Sequence, residues 1–151
     1  TITQDLTSAL PAHTATRLIA DIAELTEMFC CLFDLAHAGL RLKALNKAMC
    51  PRFHTDRVPC RLITTYCGAG TQWLPHTIVN RTKLGPGSKG QPDHLSGLYA
   101  GEDDIQSLEA GDVGLLKGEM WEGNENAGIV HRSPPVETGE QRLLLTLDAV
   151  Y

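Results

Sequence analysis

The feature that most constrains the fold is a change of pattern at Pro51. Ahead of it, apolar residues fall at positions 18, 22, 25, 29, 32 and 36. That is helical spacing, with one stripe turned to a core. Thr14 or Thr16 would cap this helix, and Gly39 stands where it would end. A second helix is expected at about 40–48, with Leu42, Leu45 and Met49 on one side. Residues 1–13 are polar and mixed and read as a loose lead-in.

Beyond Pro51 the apolar runs are short and bounded by Gly and Pro, the pattern of strands and turns. Strands are expected at 61–66, 71–74, 105–108, 113–117, 129–132 and 142–150, with Ile78-Val79 a further candidate start. About eight short strands with no internal repeat indicate a sandwich or barrel. The expected class is mainly β with N-terminal helices. Its core would be a double-stranded β-helix, a cupin-like jelly roll, at 50–151, packed by one or two α-helices from a helical buttress at 1–49. At 151 residues this makes one domain, 1–151. Residues 84–97 carry Gly85, Pro86, Gly87, Gly90, Pro92 and Gly97, and read as a long flexible loop over the pocket mouth.

Composition excludes several function classes. The net charge is −5, aromatics are 5%, and no basic run exists, so a nucleic-acid partner is not expected. No apolar run is long enough to span a membrane, and no signal-peptide pattern opens the chain. The five cysteines are odd in number and form no Cys-x-x-Cys pair, so reduced thiols and a cytoplasmic location are expected. The first residue is Thr rather than Met, as expected of a partial or processed chain.

The chemistry centres on His54-Thr-Asp56. In an extended chain, residues two apart point to the same side. One imidazole and one carboxylate then face one point, which is two-thirds of a facial-triad metal site. His131, ending a later strand, supplies the third ligand. Arg142 follows eleven residues on, at the start of the last strand, and would project inward beside the metal. A guanidinium there suits the far carboxylate of a small diacid. Thr64 and Tyr66 would face the interior and touch such a cosubstrate. Arg57 and Arg132 flank two of the ligands and would meet an anionic substrate or pair with Asp56. Trp73 and Trp121 would be core or pocket walls, Trp121 lining a substrate mouth with Glu119 and Asn124. Two other assignments stay open. The histidines could be structural, or Cys50, Cys60 and Cys67 could join His54 in a zinc site.

The order His-x-Asp, distant His, then Arg resembles the iron(II)/2-oxoglutarate-dependent dioxygenases. So do the strand pair around Gly111-Asp112 and the ending Val130-His-Arg-Ser-Pro-Pro-Val136 with Gly139-Glu-Gln-Arg142. That resemblance covers residues 50–150. It implies Fe(II) on His54, Asp56 and His131, chelated by the C1 carboxylate and keto oxygen of 2-oxoglutarate, with the C5 carboxylate on Arg142. The implied activity is oxidation of an unidentified substrate by this oxidoreductase chemistry. Four segments, at 50–56, 65–71, 111–119 and 128–135, are also similar to an uncharacterised bacterial family of unknown function (DUF1826-like). That similarity implies a zinc-homeostasis context and a metal-homeostasis partner. The alternative it leaves is a non-catalytic protein binding zinc or another metal.

Overall fold

The computed structural model describes residues 2–150. The chain forms two compact units: the N-terminal helices with the chain's end, and Gly39–Asp148. Helix α1 spans Ile2–Ala9 and α2 spans Ala12–Phe33. The lead-in is therefore helical rather than loose. Leu6, Ala9 and Leu10 recur at helical spacing, and the Leu10 amide donates to the Leu6 carbonyl. Helix α2 starts earlier than Thr14, because Pro11, with φ −53°, sets the entry and its carbonyl accepts from Thr14 and Ala15. It ends before Gly39, at Asp34, which takes φ +52° and donates its amide back to the last turn. Ala15, Ile22 and Phe29 form its buried stripe. No helix of the described residues is long and apolar enough to cross a membrane.

The rest is antiparallel sheet. Strands β1 (Ala38–Leu45), β7 (Arg142–Ala149), β2 (Cys60–Cys67) and β5 (Val113–Lys117) lie in that order in one sheet. Strands β4 (Gln106–Ser107), β3 (Gln72–Leu74) and β6 (Val130–Arg132) form a second. These sheets are open, and among the described residues they do not close into a barrel. The chain is thus two helices plus mainly β structure.

Two expectations are corrected here. The helix at 40–48 is strand β1. Leu40-Arg41-Leu42-Lys43 alternates with period two, and Arg41 and Lys43 are exposed while Leu40 and Leu42 are half-buried. Pairing to β7 overrides the coincidental spacing of Leu42, Leu45 and Met49. Ile78-Val79 begins no strand; the chain there turns into a 3-10 segment at Arg81–Lys83.

The Gly/Pro-rich segment is also more built than a flexible loop. It folds into 3-10 turns at Gly85–Ser88 and Asp93–Leu95. Asp93 is buried and accepts from the Phe53 amide at 2.8 Å, and Arg52 donates to Ser88 and to the Gln91 carbonyl. The segment braces the stretch just before His54.

Register sets which side chains meet. In β7 the positions 142, 144, 146 and 148 share one face, as do 61, 63 and 65 in β2. Arg61 sits directly opposite Asp148, and Ile63 opposite Thr146. Ile63, Leu116 and Leu144 form a buried apolar cluster on this face, with Ile129 and Leu108 packed against it. In the second sheet Leu74 and Val130 are fully buried with Phe53, Leu98 and Tyr99. His131 and Trp73, opposite each other, therefore point to the other face. The turn after β2 needs glycine: a Cβ at Gly70 would stand 1.8 Å from the Leu108 carbonyl oxygen.

Candidate metal centre

His54 and His131 form an antiparallel bridge, each amide donating to the other's carbonyl at 3.0 Å. Paired residues in such a bridge project on one side of the sheet. The two imidazoles accordingly lie side by side, tilted by 49° with centroids 4.6 Å apart. Each Nδ1 lies against the carbonyl two residues back in its own chain, Arg52 for His54 at 2.9 Å and Ile129 for His131 at 3.1 Å. A carbonyl only accepts, so each Nδ1 carries a proton and Nε2 is the atom each ring turns to the centre. Both Nε2 atoms face Asp56, at 3.7 Å from Oδ1 for His54 and 3.3 Å from Oδ2 for His131. One donor atom from each of the three lies within 4.8 Å of the others. Donors about 2.1 Å from a shared ion stand roughly 3–4 Å apart, so this set fits a single metal.

Asp56 is held from two sides. Arg61 donates to its Oδ2 at 2.6 Å and, through Nε and Nη2, forks onto Asp148 at 2.6 and 3.0 Å. Arg41 also bonds Asp148. Burial works against the Asp56 charge. The hydrogen bond and charge of His131, then Arg61 and His54, outweigh it and hold the carboxyl below its usual range. The backbone around Asp56 is clamped by the turn after β5: Glu119 donates its amide to the Asp56 carbonyl, and Thr55 donates its hydroxyl to Glu119.

Arg142 is 2% exposed. Its Nη2 donates to Thr71 at 2.7 Å and Thr65 at 3.1 Å, and Nη1 reaches Ser133 at 3.5 Å. Its Nε has no partner among the described residues. No carboxylate pairs with it among the described residues, and burial pushes the guanidinium down to about 10. Ser133 is two residues beyond His131, and Thr71 two before Trp73. By alternation they lie on the face that carries His131, about 7 Å further along. The guanidinium thus belongs to the same side of the sheet as the two imidazoles.

The other expected residues divide. Trp73 shares the face of His131. Thr65, not Thr64, meets Arg142; Thr64 is one step out of phase and points to the opposite face of β2, and Tyr66 sits at the register shift between Thr65 and Cys67. Arg132 also alternates away from the centre, stacking on Phe53 at 4.3 Å and donating to Gln72. Arg57 is exposed. Trp121 lies in the turn after β5, under the Lys117 ammonium at 4.6 Å. The cysteines do not join His54 in a cluster of donors; Cys60 is buried, whereas Cys50 and Cys67 are exposed. Sequence reasoning missed Arg61, Asp148, Ser133, Thr65 and Thr71. The signal for Asp148 was its spacing from Arg142, an even number of residues along the last strand.

Fold and site together define a mainly β protein with N-terminal helices and a two-histidine, one-carboxylate group. The chain belongs to the family described as protein of unknown function (DUF1826), whose pattern matches residues 2–148. No curated protein and no solved structure matches it.

Proposed function

We propose that this protein is a metal-dependent oxygenase of the iron(II)/2-oxoglutarate type. The observation that carries the proposal is Arg142, a buried guanidinium with hydroxyl partners and no acid among the described residues, on the same face as His54, Asp56 and His131. An uncompensated buried cation costs several kcal/mol, and a protein keeps one where a ligand supplies the anion. The fold is read as an abbreviated double-stranded β-helix, its two open sheets standing for the halves of a jelly roll.

His54, Asp56 and His131 would hold Fe(II), the histidines through Nε2, since each Nδ1 is already committed to a backbone carbonyl. Two imidazoles and one carboxylate suit non-haem iron and leave coordination positions open. Arg142 would bind the distal carboxylate of 2-oxoglutarate, oriented by Thr65, Thr71 and Ser133. The Ile63, Leu116 and Leu144 cluster would keep water from that end. When bound, iron and 2-oxoglutarate supply an oxidant: oxygen is split between the substrate, which is hydroxylated, and succinate, formed with carbon dioxide from 2-oxoglutarate.

The alternative, a non-catalytic zinc-binding protein of metal homeostasis, uses the same three donors and gives Arg142 no task. Protein isolated without oxygen, reloaded with Fe(II) and exposed to 2-oxoglutarate and air, tests the choice. Succinate above the iron-free control, abolished by His131→Ala, is the expected result. Tight zinc binding with no succinate at any 2-oxoglutarate concentration would put the alternative in front.

A further inference from the structure

A cleft of about 240 Å³ opens on the face of the first sheet that carries Arg61, lined by Arg41, Lys43, Met49, Arg61, Leu144 and Thr146. Its floor is strand β7. Leu144 and Thr146 lie between Arg142 at one end of that face and Asp148 at the other. Its wall is strand β1, whose Arg41 and Lys43 stand two residues apart and so point the same way. Its link to the centre is Arg61, which lines the cleft and donates to Asp56.

The charges in this cleft do not balance. Three cations, Arg41, Lys43 and Arg61, meet two carboxylates, Asp148 and Asp56. Asp148 already serves both arginines. The Lys43 ammonium has the Met49 sulfur, at 3.8 Å, and no acid among the described residues. A metal on Asp56 would take part of one carboxylate's charge and leave the cleft more positive still. Leu144 and Met49 add apolar surface beside these cations. The volume is below the roughly 300–1,000 Å³ of whole-ligand pockets, so it suits one end of a small molecule.

We propose that this cleft is the substrate subsite, and that the substrate is a small molecule with an anionic group, phosphate or carboxylate, on an apolar body. The anion lies against Lys43 and Arg41, and the body runs over Leu144 towards the metal centre. This assignment rests on the oxygenase proposal for its role in turnover, but the anion site itself is testable without metal.

Phenyl phosphate, benzoate and phenol are the probes, titrated by calorimetry into metal-free protein. Binding of either anion with no binding of phenol is expected, and the tighter anion identifies the preferred head group. Lys43→Gln should weaken the tighter anion at least fivefold, and Arg41→Gln with Lys43→Gln at least twentyfold; both side chains are exposed, so the fold is retained. Arg57→Gln, at an exposed arginine that does not line the cleft, should change nothing. Equal affinity in wild type and the double variant, binding of phenol as tight as the anions, or no anion binding at millimolar probe would each overturn the proposal. In a second arm, Mn(II) is added and phosphorus relaxation of bound phenyl phosphate is read. Paramagnetic broadening places the molecule bound in the cleft within reach of the metal centre. Anion binding without broadening, in protein shown to hold Mn(II), would detach the cleft from the centre and overturn its role as substrate subsite. Failure to hold Mn(II) at all would sink the oxygenase proposal, and with it that role, while leaving the anion site standing.

Discussion

Replacing Arg142 with Met separates what the residue does for ligand from what it does for the fold. Methionine keeps an unbranched stem and removes the charged end. Burial that pushes the guanidinium down to about 10 corresponds, at about 1.4 kcal/mol per tenfold, to roughly 3 kcal/mol of cost for holding the cation there. Below pH 10 both folded and unfolded chains carry the proton, so that cost is present in full. It fades as pH rises past about 10, where the folded protein releases the proton before the unfolded chain does. Against it stand the bonds to Thr65 and Thr71 and the long one to Ser133, each worth about 1 kcal/mol net. Without ligand the variant should therefore be equal in stability to wild type or up to about 2 kcal/mol more stable at pH 7. With ligand the order reverses. Loss of one member of a buried charge pair costs about 2–4 kcal/mol, so 2-oxoglutarate should bind roughly 30- to 700-fold more weakly. Urea unfolding with and without 2-oxoglutarate on metal-loaded protein reads both effects, because a ligand stabilises the native state in proportion to the logarithm of its concentration over Kd. A variant destabilised by several kcal/mol in the absence of ligand would show that Arg142 is a structural residue. A variant stabilised by 2-oxoglutarate as strongly as wild type would refute the anchor.

Further outcomes are expected. His131→Ala should abolish metal binding in equilibrium dialysis while circular dichroism remains native, since it removes one of three donors and leaves the bridge to His54 to the backbone. Gly118→Ala should destabilise by about 1–3 kcal/mol in denaturant melts and weaken metal binding, because its Cβ would stand 1.9 Å from the Val58 carbonyl oxygen and push on the clamp around Asp56. A thiol reagent at pH 8 should modify the exposed Cys31, Cys50 and Cys67 quickly and Cys60 only on unfolding, as burial pushes the Cys60 thiol up to about 11; fast modification of Cys60 in native protein would contradict its placement.

The sequence carries some of this arrangement openly. Strands β2, β5, β6 and β7 are legible because each is a short apolar run closed by Gly or Pro, and His54-x-Asp56 is legible because period two puts both side chains on one side. Strand β1 is obscured by a competing pattern: Leu42, Leu45 and Met49 also fit a helix, and only pairing to β7, distant in sequence, decides between them. Arg61 and Asp148 escape for the same reason. They are 87 residues apart, and nothing local announces the register that sets them opposite each other. Thr65 is confused with Thr64 because strand parity is lost at the register shift after it. The 84–97 segment is misread because glycine and proline suggest freedom, while Asp93 and Ser88 supply buried bonds that only the folded chain assembles.

The central claim is that His54, Asp56 and His131 hold a metal to which Arg142 delivers 2-oxoglutarate. Anaerobic calorimetry of 2-oxoglutarate into Fe(II)-loaded protein tests it most directly, with the metal-free protein and Arg142→Met as parallel cells. The account predicts one 2-oxoglutarate per chain at micromolar affinity (about −8 kcal/mol), sharply weakened when either the iron or the guanidinium is removed. No heat at millimolar 2-oxoglutarate in protein shown to contain one Fe(II), or binding indifferent to both removals, would contradict it.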